Sequence, residues 1–176
     1  TLIPPTPAKF NLTLRGNRYD TDYSQELASG DFDGDGRTDA FVANGTGWFF
    51  SRGGMEPWEF LRPSNKRVRQ LAFADVDNDA RTDVLYRDGA GNLGYVAGGA
   101  AANLAPLTTL PVAITGLRSG DFDGDGRTDL FHTLNGQWWV WYSSTRVWTT
   151  TQTSSATIDE LLLGEFDDIK GTDVAV

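Results

Sequence analysis

Cysteine is absent from the 176 residues, and histidine and methionine occur once each. Without thiols there is neither a disulfide framework nor a thiolate metal site, so any bound ion would rest on hard oxygen ligands. A single histidine, His132, leaves little room for a Ser–His or Cys–His pair, and its place in a strand-like stretch suits a packed residue better than a catalytic base. The chain has no Gly-x-Ser-x-Gly elbow, His-Glu-x-x-His helix or Gly-Lys-Ser/Thr phosphate loop. The acidic residues Asp20, Asp22, Glu26, Glu56, Glu59, Asp88 and Asp159 show no spacing that singles out a carboxylate pair for glycoside chemistry. No enzyme is expected.

Basic residues are outnumbered 15 to 24, which gives a formal net charge of −9. That balance argues against nucleic-acid binding, which needs a basic face to displace counterions, and against an anionic membrane surface. Apolar runs fall short of the roughly 18 residues that a membrane span needs. No basic-then-apolar leader precedes Thr1, so a mature or excised segment is expected, with residues 1–8 as a Pro-rich leader or linker and 9–176 as one domain. Amphipathic helical spacing is also missing, whereas glycine numbers 20 and aromatics reach 12%. The class that fits is all-β.

What the sequence does have is a repeat. Asp31-Phe32-Asp33-Gly34-Asp35-Gly36-Arg37-Thr38-Asp39 recurs without change at residues 121–129. Asp75-Val76-Asp77-Asn78-Asp79-Ala80-Arg81-Thr82-Asp83 keeps every aspartate, and Glu165-Phe166-Asp167-Asp168-Ile169-Lys170-Gly171-Thr172-Asp173 keeps fewer. The loops at 31–39, 75–83, 121–129 and 165–173 therefore stand 44 to 46 residues apart. Leu27, Leu71, Leu117 and Leu161 each precede a loop by four residues, so the repeating unit extends well beyond it.

Short β-branched or aromatic runs alternate with turn residues inside each unit. In the first, strands are predicted over 25–32, 39–44, 48–51 and 57–61, with a turn at 44–47. Four short strands per 45 residues is the arithmetic of a propeller blade, with the Asp-rich loop between its first and second strands. A continuously apolar strand such as 138–142 suits a sheet covered on both faces. We expect about four such repeats, either as a four-bladed propeller or as part of a larger one. Closing a four-bladed ring would require both ends of the chain to share a blade, with 9–15 as its outer strand.

Calcium takes six to eight oxygen ligands, commonly carboxylates at alternate positions of a tight loop plus a backbone carbonyl. Asp31, Asp33, Asp35 and Asp39 would supply side chains and Arg37 its carbonyl; Asp75, Asp77, Asp79, Asp83 and Arg81 would repeat the set. A third set is Asp121, Asp123, Asp125, Asp129 and Arg127. An EF-hand loop would need glutamate at its twelfth position, where Val42, Tyr86 and His132 stand. Ile169 and Glu165 depart from the pattern, so the fourth loop is expected to hold no ion and about three Ca²⁺ are expected in all. Twelve of the 24 acidic residues lie in the three intact loops. Convergent carboxylates without a cation repel one another, so the pattern itself calls for the metal.

The Asp loop and the 45-residue period resemble the integrin-α-type FG-GAP repeats and their secreted microbial and fungal relatives, although no Gly-Ala-Pro follows the loops here. The resemblance implies a calcium-binding β-propeller, secreted, acting as a lectin-like module on a glycan or extracellular protein. The alternative is an accessory propeller of a larger secreted hydrolase or toxin, with homo-oligomerisation or attachment to a longer polypeptide open in either case. Trp141 and Tyr142 are the candidate ligand platform, because the first copy has Ser51 and Arg52 in their places and flat rings stack on sugars.

Overall fold

The computed structural model describes residues 27–108 and 113–176, together with the strand pair β1 (Thr13–Leu14) and β2 (Asn17–Arg18). The leader at 1–8 lies outside the described residues.

Three four-stranded antiparallel meanders follow one another along the chain. The first comprises β3 (Leu27–Gly30), β4 (Asp39–Ala43), β5 (Gly47–Ser51) and β6 (Glu59–Pro63). The second comprises β7 (Ala72–Ala74), β8 (Asp83–Arg87), β9 (Leu93–Val96) and β10 (Ala105–Thr108). The third comprises β11 (Arg118–Gly120), β12 (Asp129–Leu134), β13 (Gln137–Tyr142) and β14 (Val147–Thr153). A last, two-stranded sheet pairs β15 (Leu162–Gly164) with β16 (Asp173–Ala175). All pairings are antiparallel, and every Asp-rich loop joins the first strand of its sheet to the second.

Local chemistry sets these elements. Phe41, Val42, Trp48 and Phe50 are aromatic or β-branched and suit a pleated, buried strand. Between β4 and β5 the Asn44 Oδ1 accepts the N–H groups of Thr46 and Gly47 at 2.9 and 3.0 Å, and Gly45 takes a φ of 83°. Such an Asx turn fixes the register of the hairpin, Ala43 opposite Trp48.

Each pair of consecutive sheets shares one apolar core. Phe32, Phe41 and Trp48 of the first sheet meet Leu71, Val84 and Val96 of the second. The opposite face of the second sheet places Val76, Leu85 and Leu93 against Leu117, Leu130 and Trp141 of the third. Phe131, Trp138 and Val140 of the third then meet Leu161 and Val174 of the last. Middle sheets are therefore buried on both faces, which is why β13 reads Trp-Trp-Val-Trp without alternation.

Most of the outer strand expected for a shared fourth blade lies outside the described residues; its described part, Thr13 and Leu14, pairs with Arg18 and Asn17. Among the described residues β16 pairs with β15 alone. Among the described residues, no helix is long and apolar enough to cross a membrane.

Candidate metal centres

The first residue of each intact loop organises the turn around itself. Asp31 Oδ1 accepts the N–H groups of Gly34 and Asp35 at 2.7 and 3.2 Å, and its Oδ2 accepts that of Gly36 at 2.8 Å. Gly34 and Gly36 have φ of 79° and 80°, the left-handed conformation that lets the backbone curl around a carboxylate. Asn78 and Ala80 adopt the same conformation in the second loop, with φ of 60° and 68°.

The ninth residue closes the loop from below. Asp39 is 1% exposed; its Oδ2 accepts the Phe32 N–H and its Oδ1 the Gly53 N–H, both at 2.9 Å. Asp83 repeats this with Val76 and Gly98, and Asp129 with Phe122 and Ser143. These carboxylates brace loop, strand and following turn at once, and each oxygen keeps a lone pair for a further partner.

Carboxylate oxygens converge at the first, third and ninth positions. Asp31, Asp33 and Asp39 place oxygens within 4.8 Å of one another, as do Asp75, Asp77 and Asp83, and Asp121, Asp123 and Asp129. The fifth-position residues fall outside these groups. Asp35, Asp79 and Asp125 each turn an oxygen back to accept the N–H of the arginine two residues on, at 2.8 to 2.9 Å. Arg37, Arg81 and Arg127 thus hold the fifth-position carboxylates through their backbone N–H groups. The fourth loop, expected to be a relic, still gathers Glu165, Asp167 and Asp173 within the same distance. The signal for it was present, since acid at positions one, three and nine is what the converging groups share.

The electrostatics suit a hard cation. Buried oxygens of Asp77 and Asp121 have no hydrogen-bond donor. Burial pushes the Asp83 carboxyl up to about 7, with Asp77 and Asp79 adding to the shift. Asp77 and Asp129 are raised for the same reason, burial first and neighbouring carboxylates after it. A divalent cation would offset both costs, and an all-oxygen donor set is the one that calcium prefers. At the first loop Arg52 Nη1 lies 2.6 Å from Asp33 Oδ2, a cation already supplied by the chain.

Residues 21–86 match the family model for the FG-GAP-like repeat. That stretch is similar to the FG-GAP-like repeat. It takes in the first sheet with its loop and the second loop as far as β8. The nine residues of the first loop recur identically at 121–129, in the third sheet. Comparison with curated proteins finds no match, and comparison with solved structures finds none either.

The two residues expected to meet a ligand lie in the layers between the sheets. Trp141 is 1% exposed and packs between the second and third sheets, so its ring presents no face to solvent. Tyr142 points to the other side, half-buried against the core shared with the last sheet. Its hydroxyl is raised by burial and by Asp123 and Asp129. His132 is 6% exposed, and its Nδ1 lies 3.2 Å from the Gly116 carbonyl oxygen.

Proposed function

We propose that this chain is a calcium-binding β-propeller module, non-catalytic and secreted, whose FG-GAP-like units present a binding surface to a glycan or an extracellular protein. The observation that carries the reading is the convergence of three carboxylates in every loop, with oxygens of Asp77 and Asp121 buried and unpartnered. The succession of antiparallel sheets with shared cores supports blades.

Asp31, Asp33 and Asp39 would hold one ion, Asp75, Asp77 and Asp83 a second, and Asp121, Asp123 and Asp129 a third. The arginine carbonyls and the fifth-position aspartates would complete the shells. A bound cation neutralises the buried carboxylates and pins the first strand of each sheet to the second. Extracellular calcium modules bind with Kd of about 10⁻⁴ to 10⁻³ M, which suits a compartment outside the cell. A chain without cysteine gains from such ions the stapling that disulfides would otherwise give.

Calorimetric titration of the purified chain with Ca²⁺ tests the metal reading. Saturable binding and a melting temperature that falls in excess chelator are expected, at about 1 kcal/mol per site near millimolar calcium. An unchanged melt with chelator would overturn it. A glycan array with and without calcium tests the ligand class. Silence on the array, with binding to a protein partner, would favour an accessory module within a larger secreted protein.

A further inference from the structure

The interface between the first and second sheets is assembled from three parts, and unmatched copies of those parts stand at the two ends of the array. The first part is a plug. Phe32 is 3% exposed, and its ring and carbonyl lie against the glycine turn of the next sheet, where a Cβ on Gly99 would be 3.8 Å from Phe32 Cδ1. The second is that turn, Ala97–Gly99, with Gly98 and Gly99 at φ of 54° and 69°. The third is a clasp: Thr82 Oγ1 accepts the Asp31 N–H at 2.9 Å, in a space that exists because Gly30 has no side chain. A Cβ on Gly30 would sit 2.7 Å from the threonine. The clasp recurs between the third and last sheets, where Thr172 Oγ1 accepts the Asp121 N–H at 2.9 Å beside Gly120. There Lys170 Nζ also donates to the Gly124 carbonyl at 2.8 Å, so a cation of the later loop lies on the earlier one.

The last sheet carries the plug side of this interface, and among the described residues no further sheet lies against it. Phe166, the equivalent of Phe32, is 56% exposed and Ile169 is 73% exposed. A Cβ on Gly164 would meet the ring of Phe166 at 3.1 Å, so in the single copy that ring stands where a clasping threonine would fit and leaves it on docking.

The first sheet carries the receiving side, and among the described residues no other sheet lies against it. Thr38, the equivalent of Thr82, is exposed, and so is Arg37. The turn Arg52–Gly54 holds Gly53 and Gly54 at φ of 56° and 69°, the conformation of Gly98 and Gly99. Gly54 joins Leu27, Ala40 and Trp58 in lining an open groove of about 400 Å³. At the groove Ala40 stands where the second and third sheets have the larger Val84 and Leu130. Charge matches as well, with Arg37 on this side and Glu165, Asp167 and Asp168 on the other.

We propose that the last sheet of one copy docks on the first sheet of a second copy of this chain. Phe166 enters the groove beside Gly54, Thr38 accepts the N–H of Glu165 next to Gly164, and Arg37 lies over the acidic loop. Phe166 and Thr38 are both exposed, and among the described residues no other sheet covers either of them. Because plug and socket are at opposite ends, two copies can satisfy each other reciprocally and leave no free end.

The test is light scattering coupled to size exclusion on the purified chain, at concentrations up to about 100 μM, the range in which modest interfaces populate. A dimer is expected for the natural sequence. Phe166→Asp and Thr38→Glu, both at exposed positions, should each give a folded monomer by circular dichroism. An equimolar mixture of the two should restore a dimer, since one intact plug then meets one intact socket. A natural chain that stays monomeric throughout, or a dimer indifferent to Phe166→Asp, would overturn the proposal. A monomer whose melting temperature falls on Phe166→Asp would also overturn it, since the ring would then be packing within its own copy.

Discussion

Thr82 Oγ1 accepts the backbone N–H of Asp31 at 2.9 Å, tying the second Asp-rich loop to the first across 51 residues of chain. A backbone bond from the Thr82 N–H to the Asp31 carbonyl runs alongside it. Thr172 and Asp121 form the same pair of contacts. The glycine before each clasped loop makes room for the threonine, and where Ala74 replaces it a methyl occupies that room. Among the described residues no hydrogen bond joins Thr128 to Asp75.

Removing the clasp therefore has a position-dependent cost. Thr82→Val should destabilise the fold by about 1 kcal/mol, the net worth of one hydrogen bond. Gly30→Ala forces a methyl against the threonine at 2.7 Å and should cost about 1–3 kcal/mol. Thr128→Val, which breaks no clasp, should stay within about 0.5 kcal/mol of the natural chain. Urea midpoints at fixed calcium measure all three.

Ala80 carries a φ of 68°, where an L side chain is strained. Replacing it with glycine, the residue that the first and third loops use there, relieves about 1 kcal/mol and returns part of that as unfolded-state entropy. Ala80→Gly should raise stability by about 0.5 kcal/mol, and Gly36→Ala should lower it by about 1 kcal/mol. Thermal melts of the two variants should move in opposite directions.

His132 gives the fold a pH dependence of definite sign. Burial depresses its pKa below the ordinary value, helped by Arg87, and the Gly116 carbonyl opposes this in part. A depressed histidine contributes stability that is fully present above the unfolded-state pKa of about 6.5 and is lost as pH falls through the folded value. With calcium saturating, the melting temperature of the natural chain should drop faster than that of His132→Gln between pH 7.5 and pH 5, a window of about two units around that pKa. Parallel curves would show that the imidazole is not the group responsible.

Trp141 and Trp139 stand two residues apart on β13 and differ in burial. Trp141→Ala should cost about 3–5 kcal/mol, because it opens a cavity between the second and third sheets. Trp139, half-exposed, should cost distinctly less on the same change. Had Trp141 been a ligand platform, its removal would leave stability nearly untouched, so denaturant unfolding of the two variants separates the roles.

The loops and strands were legible because their causes are local. Glycine at positions four and six, aspartate at one and nine, and an Asn-Gly turn each act within a few residues. Trp141 was not legible, since a strand covered on both faces shows no alternation to say which side a ring takes. The fifth-position aspartates read as ligands in sequence, and what the fold adds is that Asp35 also accepts the Arg37 N–H with one oxygen. Glu165 looked like a loss, although one added methylene still lets a carboxylate reach Asp167 and Asp173.

The sequence by itself determined the repeat, the order of strands within each antiparallel sheet and the hard-oxygen chemistry of the loops, because turn geometry and β-propensity are written over a few residues. Only the tertiary structure decided which sheet face meets which, which three carboxylates converge, and that Thr82 belongs to Asp31. Those depend on distances between groups 40 to 50 residues apart, which packing of apolar faces fixes and no local pattern encodes.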